Sequence, residues 1–485
     1  MKKTLLFLGL LGMARAASAQ GTPPNLGPWV QVNTTNYGTF APGYRVTNIA
    51  TVSPTQCWAV TEENSASGKA NTFLRTNNPA GTEFDFNAIT APGANASYET
   101  GNISPVGNSI TTAVAGNYGS AGGGEILRTS NGGVSWTKVH TYANTTTSFQ
   151  DFIYMFDALR GVSVGDPTLG YFEIYTTADG GLTWTRVPQA NIPPVLNANE
   201  YGLVHSFFGL SGTGTIWFGG ASSADTDPVR VYKSTNFGQN WTASPVTTLT
   251  GTISRLAFKD ANNGIAYNVK LDAAQTAVTA VNVIRTADGG ATWAPITPVN
   301  TATGSFFRYD IDGVNGNYYS VGARFPTSMP AVAADFGSSY STDGINWTNL
   351  NNSQGFFAFD LIASGTTNAA GYAGAATDAS GVGGMYKSAA VITASRNAAL
   401  QSTLSVYPNP SASGVFNVNL GSDLKAGATL TVSDALGRTV KTQALNAAVV
   451  GSKMLNLDLS GEKTGVYTLQ IRTEAGIATQ KIVIE

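Results

Sequence analysis

The chain has 485 residues, of which 42% are apolar and only 12% charged, with 27 basic against 29 acidic side chains, two histidines and one cysteine. So sparse and balanced a charge excludes a polyelectrolyte-binding surface, and nucleic acid is not expected as a partner. The lone Cys57 excludes an internal disulfide, and two histidines exclude a histidine-rich zinc centre, so neither a metal nor a cofactor is expected.

Residues 1–19 read as an export signal rather than part of the fold. Lys2 and Lys3 precede an apolar run from Leu5 to Met13, and Ala17-Ser18-Ala19 supplies small residues for cleavage between Ala19 and Gln20. Removing Lys2, Lys3 and Arg15 from the 27 leaves 24 basic against 29 acidic residues, a net charge of −5. No later stretch approaches 18 continuous apolar residues, so no transmembrane segment is expected.

From Trp29 to Ser388 one grammar recurs. TSNGGVSW (Thr129–Trp136), TADGGLTW (Thr177–Trp184), STNFGQNW (Ser234–Trp241) and TADGGATW (Thr286–Trp293) share a template, with a shortened copy STDGINW (Ser341–Trp347). RTNNPAGTEF (Arg75–Phe84) is a decayed copy with Phe84 in the tryptophan slot. A period of about 50 residues marks a repeat architecture. Each copy follows two apolar runs joined by a polar turn and a third run, and the tryptophan opens a fourth, which describes a four-stranded blade. Asn131, Asp179, Asn236, Asp288 and Asp343 are expected to bond the amides of their own turns. Trp136, Trp184, Trp241, Trp293 and Trp347 are expected to pack over those turns. After Gly383–Ala389 no fourth run follows, but WVQV (Trp29–Val32) precedes Phe84 by one period. The N-terminal strand therefore completes the last blade and closes a ring of seven.

These strings resemble the Asp-box (bacterial neuraminidase) repeat of β-propellers, in which the box is a structural turn away from the catalytic face. The third and fourth repeats, with Gly165-Asp166-Pro167 and Pro193-Pro194, are similar to propellers related to photosystem II assembly and stability factors, which implies a binding scaffold. Sialidases need an arginine triad, a Tyr/Glu nucleophile pair and an acid Asp, with a FRIP-like string ahead of the first box. Here the nearest string, ARFP (Ala323–Pro326), lies in the sixth repeat, a departure from that enzyme pattern.

In such a ring the loops joining strands two and three, and those between blades, share one face, and the boxes share the other. The first face is expected to act, because it gathers Glu62, Glu63, Tyr118, Asp166, Asp225, Asp227, Lys270, Arg324 and Asp378, with Glu200 in the insertion Pro188–Gly202. Asp166 and Glu200, in exposed loops of one blade, are the carboxylate pair a glycosidase would use. Asp310-Ile311-Asp312-Gly313 reads as a hairpin turn rather than a calcium loop, since it fails the full ligand spacing. His140 is expected to be exposed, His205 to begin an inner strand, and Cys57 to be a buried small hydrophobe.

After the linker 391–403 the period breaks. Tyr407-Pro408-Asn409-Pro410, Gly437-Arg438, Gly465-Val466-Tyr467 and Lys481-Ile482-Val483 punctuate short alternating runs that argue a small immunoglobulin-like sandwich over 404–485. In order and over the whole segment they resemble the C-terminal sorting domain of type IX (Por) secretion. The resemblance implies passage of a Gram-negative outer membrane and a protein that is secreted or held on the cell surface, with the secretion machinery as partner. The expected fold is all-β, a seven-bladed propeller over 20–390 followed by the sandwich. The expected role is binding of a glycan or surface protein; the alternative is a glycoside hydrolase of sialidase-like or xyloglucanase-like propeller type.

Overall fold

The computed structural model describes residues 26–32, 44–63, 70–143, 148–274, 277–299, 305–323, 336–351, 354–365, 368–377, 383–389, 398–421, 424, 428–434, 438–473 and 476–485. The chain forms two compact units, Met1–Ala389 and Ala390–Glu485.

The first unit is a ring of seven antiparallel blades. Their innermost strands are Tyr44–Ser53, Glu99–Pro105, Gln150–Met155, Phe207–Gly209, Arg255–Phe258, Asp310–Val314 and Ala358–Ser364. Each pairs outward with the next strands of its own blade. The seventh blade takes its outermost strand from the other end of the chain: Trp29, Val30 and Gln31 lie opposite Ser388, Lys387 and Tyr386. Trp29 is buried, packs its ring at a tilt 5.5 Å from that of Phe356, and donates from Nε1 to Ser338 Oγ at 3.1 Å. The core is correspondingly divided into clusters between neighbouring blades, such as Trp58, Phe73, Ile103, Leu127 and Trp136 between the first two.

The boxes fold as tight turns between strands three and four. Asp179 Oδ1 accepts from the amides of Leu182 and Thr183 at 3.0 and 2.9 Å, and Asp288 Oδ1 accepts from Thr292 at 2.9 Å. Asn131, Asn236 and Asp343 do the same for Ser135, Asn240 and Asn346. Trp184, Trp241, Trp293 and Trp347 return an indole N–H to a carbonyl of their own turn, at 2.8 to 3.3 Å. Trp136 is buried with its Nε1 unpaired. Gly181 shows why the template carries glycine: its φ is +81°, and a Cβ would press on Val114 of the preceding blade. In most blades the fourth strand opens one residue after the tryptophan, as at Thr137 and Thr348.

A second device joins the blades. The residue before the box Ser/Thr is basic in five repeats (Arg75, Arg128, Lys233, Arg285 and Lys387). Arg128 Nε donates to Gly180 O at 2.8 Å, Arg285 Nη1 to Asp343 O at 3.0 Å and Lys387 Nζ to Ala80 O at 2.7 Å. Arg128, Arg285 and Lys387 thus each satisfy a carbonyl in the next blade's turn, where the backbone has no ladder partner.

The second unit is a sandwich of a three-stranded sheet, ordered Ser405–Tyr407, Val415–Asn419, Met454–Asp458, and a four-stranded one, ordered Thr439–Leu445, Ala428–Ser433, Gly465–Thr473, Gly476–Ile484. Phe416, Val418, Leu430, Leu457, Leu469 and Ile482 fill it. Its core also takes Leu400 from a helix, Ala398–Thr403, inside the stretch read as linker. Asn409 ties the Tyr-Pro-Asn-Pro corner to the last strand, accepting from Val483 N at 2.9 Å and donating to Lys481 O at 2.7 Å. Pro408 and Pro410 flank it, Tyr407 is exposed, and buried Tyr467 donates its hydroxyl to Lys463 O at 2.6 Å. Arg438 pairs with Asp434. Gly437, Ala19 and Gln20 lie outside the described residues. No helix among the described residues is long and apolar enough to cross a membrane.

Candidate functional site

An innermost propeller strand is a sheet edge, and its unpaired N–H groups face the axis. Here side chains of the preceding blade accept them. Asn48 Oδ1 takes Ile103 N at 3.3 Å, Asn102 Oδ1 takes Ile153 N at 3.0 Å, and Ser104 Oγ takes Met155 N at 2.8 Å. Carboxyls do the same around the seventh blade. Asp310 Oδ2 takes Phe359 N at 3.3 Å, Asp312 Oδ2 takes Leu361 N at 2.8 Å, and Asp360 Oδ2 takes Thr51 N at 2.6 Å. Asp310 and Asp312 therefore stand on an inner strand, not in the hairpin turn expected of them. The turn after that strand is Asn315-Gly316, both at positive φ.

These strands enclose a cavity of about 350 Å³ to which all seven blades contribute. Its wall carries Tyr154, Arg255, Asp310, Asp312, Asp360 and His205. Asn108, Ser211, Lys259 and Asn315 also line it, and all four sit in hairpins joining strands one and two. Those hairpins share a face with the boxes, so the cavity reaches the box-bearing face; among the described residues none of the strand two–three loops lines it. Burial pushes Asp312 well above the usual carboxylate range, with Asp360 adding to it. Burial holds Asp360 up at about 7 against the bonds from Thr51. Burial also raises Asp310, while Arg255, bonded to it at 3.2 Å, opposes the shift. His205, in a turn just before an inner strand, is driven down to about 3 by burial and by Arg255, so it is neutral at neutral pH. The Tyr154 hydroxyl is raised by burial and by Asp360 and Asp312, which places it in the field of both carboxyls.

The opposite face holds the polar residues singled out in the sequence, but they engage one another. Arg45 pairs with Glu62 at 2.9 Å, Tyr118 donates to Glu99 at 3.2 Å, and Lys270 lies 3.6 Å from Asp225. Asp227 accepts from Ser222, Asn197 and Asn199. Glu63 is exposed at the end of its strand, and Arg324 and Asp378 lie outside the described residues.

The expected pair does not form. Glu200 is 6% exposed rather than in an open loop. It accepts from the Tyr232 hydroxyl at 2.9 Å and Leu196 N at 2.5 Å, and lies 3.5 Å from Arg230. Burying a carboxylate requires partners of this kind, so Glu200 pins the insertion to the fourth blade. Asp166 lies in the strand Gly161–Thr168, half-buried, and accepts from Gly202 N at 2.9 Å. Its unexpected neighbour is the buried Asp151, which burial raises well above the usual carboxylate range, with the charge of Asp166 adding to it. His140 is half-buried, not exposed, with its ring 4.1 Å from that of Tyr175, and burial lowers its pKa. Cys57 is buried, and burial raises its thiol. Among the described residues no three His, Cys, Asp or Glu side chains are grouped to hold a metal ion.

Residues 405–485 match the family described as the secretion system C-terminal sorting domain. That domain marks the protein for type IX secretion and for the exterior or surface of the cell, and it makes the secretion machinery a partner. No curated protein matches the chain in sequence. Among solved structures it is similar to PorZ, a surface component of the type IX secretion system of Porphyromonas gingivalis, at 12% identity and a TM-score of 0.42. That match covers 89% of this chain and 58% of the other, so the chain spans under two thirds of that protein's length. It is also similar to YCF48 bound to D1 peptide (13%, TM-score 0.46, covering 74% and 96%) and to a GH74 xyloglucanase from Xanthomonas campestris (14%, TM-score 0.44, covering 72% and 54%).

Proposed function

We propose that the ring is a binding module for a glycan or surface-protein ligand, carried out of the cell by its sorting sandwich, with no hydrolytic step of its own. An N-terminal signal cleaved after Ala19 takes it across the inner membrane first. The observation that carries the reading is the engagement of the carboxyls: Asp310, Asp312 and Asp360 hold the backbone of the next blade, and Glu200 holds an insertion. A pair of carboxylates free to flank a scissile bond is what hydrolysis needs. A cavity of this size with a mixed polar wall suits the end of a glycan chain or one protruding side chain. Glycoside hydrolysis is the second reading, because burial holds Asp360 at about 7, where a carboxyl can donate a proton at neutral pH.

The test uses the purified full chain on a glycan array, with Tyr154→Phe as the cavity variant. Tyr154→Phe is expected to weaken retention about tenfold at an unchanged melting temperature, as loss of one ligand hydrogen bond would. Asp166→Asn, on the opposite face, is expected to leave retention as it was. Release of free sugar from the retained glycan would establish the second reading. Retention lost with Asp166→Asn and kept with Tyr154→Phe would return the site to the opposite face.

A further inference from the structure

Asp151 is the most unusual charge-bearing residue of the ring. It lies at the start of the inner strand Gln150–Met155, fully buried, and neither carboxyl oxygen meets a hydrogen-bond donor or solvent. An isolated buried carboxylate is too costly to persist, so such a group takes up a proton instead. The charge of Asp166, on the adjacent strand, adds to the effect of burial. The chain at Gly202 closes over both. Its amide donates to Asp166 Oδ1 at 2.9 Å, and a Cβ there would overlap Asp151 Oδ2, so only glycine lets the segment seat.

Among the described residues, no cation in the surroundings is free to stabilise two charges. Tyr142 bonds Ser163 at 2.8 Å, and Glu173 is paired with Arg186 at 3.0 Å. Glu200 is paired with Arg230, Asp225 with Lys270, and Glu99 accepts from Tyr118. The Tyr201 hydroxyl, raised by burial and then by Asp166, Asp225 and Asp151, is neutral beside them. Gln150 reaches only Ser163.

We propose that Asp151, held as a neutral acid beside the Asp166 carboxylate, forms with it a latch that seats the Tyr201–Gly202 segment on the face opposite the boxes, releasing it when the Asp151 proton is lost. With one proton, Asp166 is the carboxylate that accepts the Gly202 amide, and Asp151 is the neutral acid beneath it. Removing the proton to hydroxide leaves two like charges under one loop, and the segment lifts to admit water. Burial raises Asp166 to about 6 against the bond from Gly202, so the one-proton latch is closed around neutral pH and opens on the alkaline side. It is independent of the cavity reading, because it lies on the other face.

The test follows hydrogen exchange at the Gly202 amide and the infrared carbonyl band of protonated carboxyl groups in the full chain, as pH is raised. Exchange is expected to rise at least tenfold more than intrinsic base catalysis accounts for, in step with loss of part of the protonated-carboxyl band. Asp151→Asn, neutral at every pH, is expected to keep Gly202 protected throughout. A folded Asp151→Asn protein with the wild-type exchange profile overturns the proposal. If that variant does not fold, the wild-type protein decides alone: Gly202 exchange that follows intrinsic chemistry, or that changes at a pH where no carboxyl proton is lost, overturns it equally.

Discussion

Removing the strand that closes the ring should cost more than removing any exposed residue near it. Trp29→Ala deletes a buried indole, for which loss of transfer energy and the cavity left behind amount to about 3–5 kcal/mol. Ser338 also loses its indole donor, worth about 1 kcal/mol. Val30, on the same strand, is 49% exposed, so Val30→Ala should cost no more than about 0.5 kcal/mol. Deleting residues 29–32 removes the three pairings with Tyr386, Lys387 and Ser388 and leaves two sheet edges open. The assay is denaturant unfolding followed by tryptophan fluorescence. All eight tryptophans precede residue 348, so the signal reports the ring and is silent on the sandwich. A midpoint left unchanged by the deletion, or equal costs for Trp29→Ala and Val30→Ala, would refute the closure argument.

Asp360 sets a pH dependence whose sign follows from its raised pKa. The folded state holds a proton that the unfolded chain gives up near 4, so stability from this group is full below that value and falls as pH rises through about 7. Asp360→Asn keeps an acceptor for Thr51 N and should flatten the curve between pH 4 and 7 by on the order of 1–2 kcal/mol, allowing for screening from the cavity; melting temperatures across that range check it. Truncation before Ser405 should leave a folded ring that stays in the periplasm, and fractionation of a type IX-competent host measures this, with normal surface delivery counting against the assignment.

Much of the ring was legible because its signals are local. Boxes are written within eight residues, and their Asp and Asn side chains bond amides three or four positions on, so sequence spacing equals spatial spacing. Closure was legible by counting one period back from Phe84 to Trp29. The cavity was not, because its residues are single polar positions inside otherwise apolar inner strands, about one blade apart. Asp312 was visible only as a motif, and the local pattern favoured a turn. Its bond to Leu361 crosses a blade boundary and leaves no local trace. Glu200 failed for a related reason: an irregular insertion looks exposed, yet its partners Tyr232 and Arg230 belong to the next blade's third strand and its approach. A polar residue recurring in the first strand of successive repeats, as Asn48 and Asn102 do, was the signal available.

Closing the seventh blade with the first strand also fixes an order of events. The chain emerges N-terminus first, and at about 5–20 residues per second Ser388 appears on the order of half a minute after Trp29. Throughout that interval the opening strand has no partner, and six blades can form only as an open arc with a sticky rim at each end. The ring therefore cannot close until its last strand has been made, whatever the order in which the earlier blades fold. The last contact to form is thus the one that turns an open arc into a closed ring.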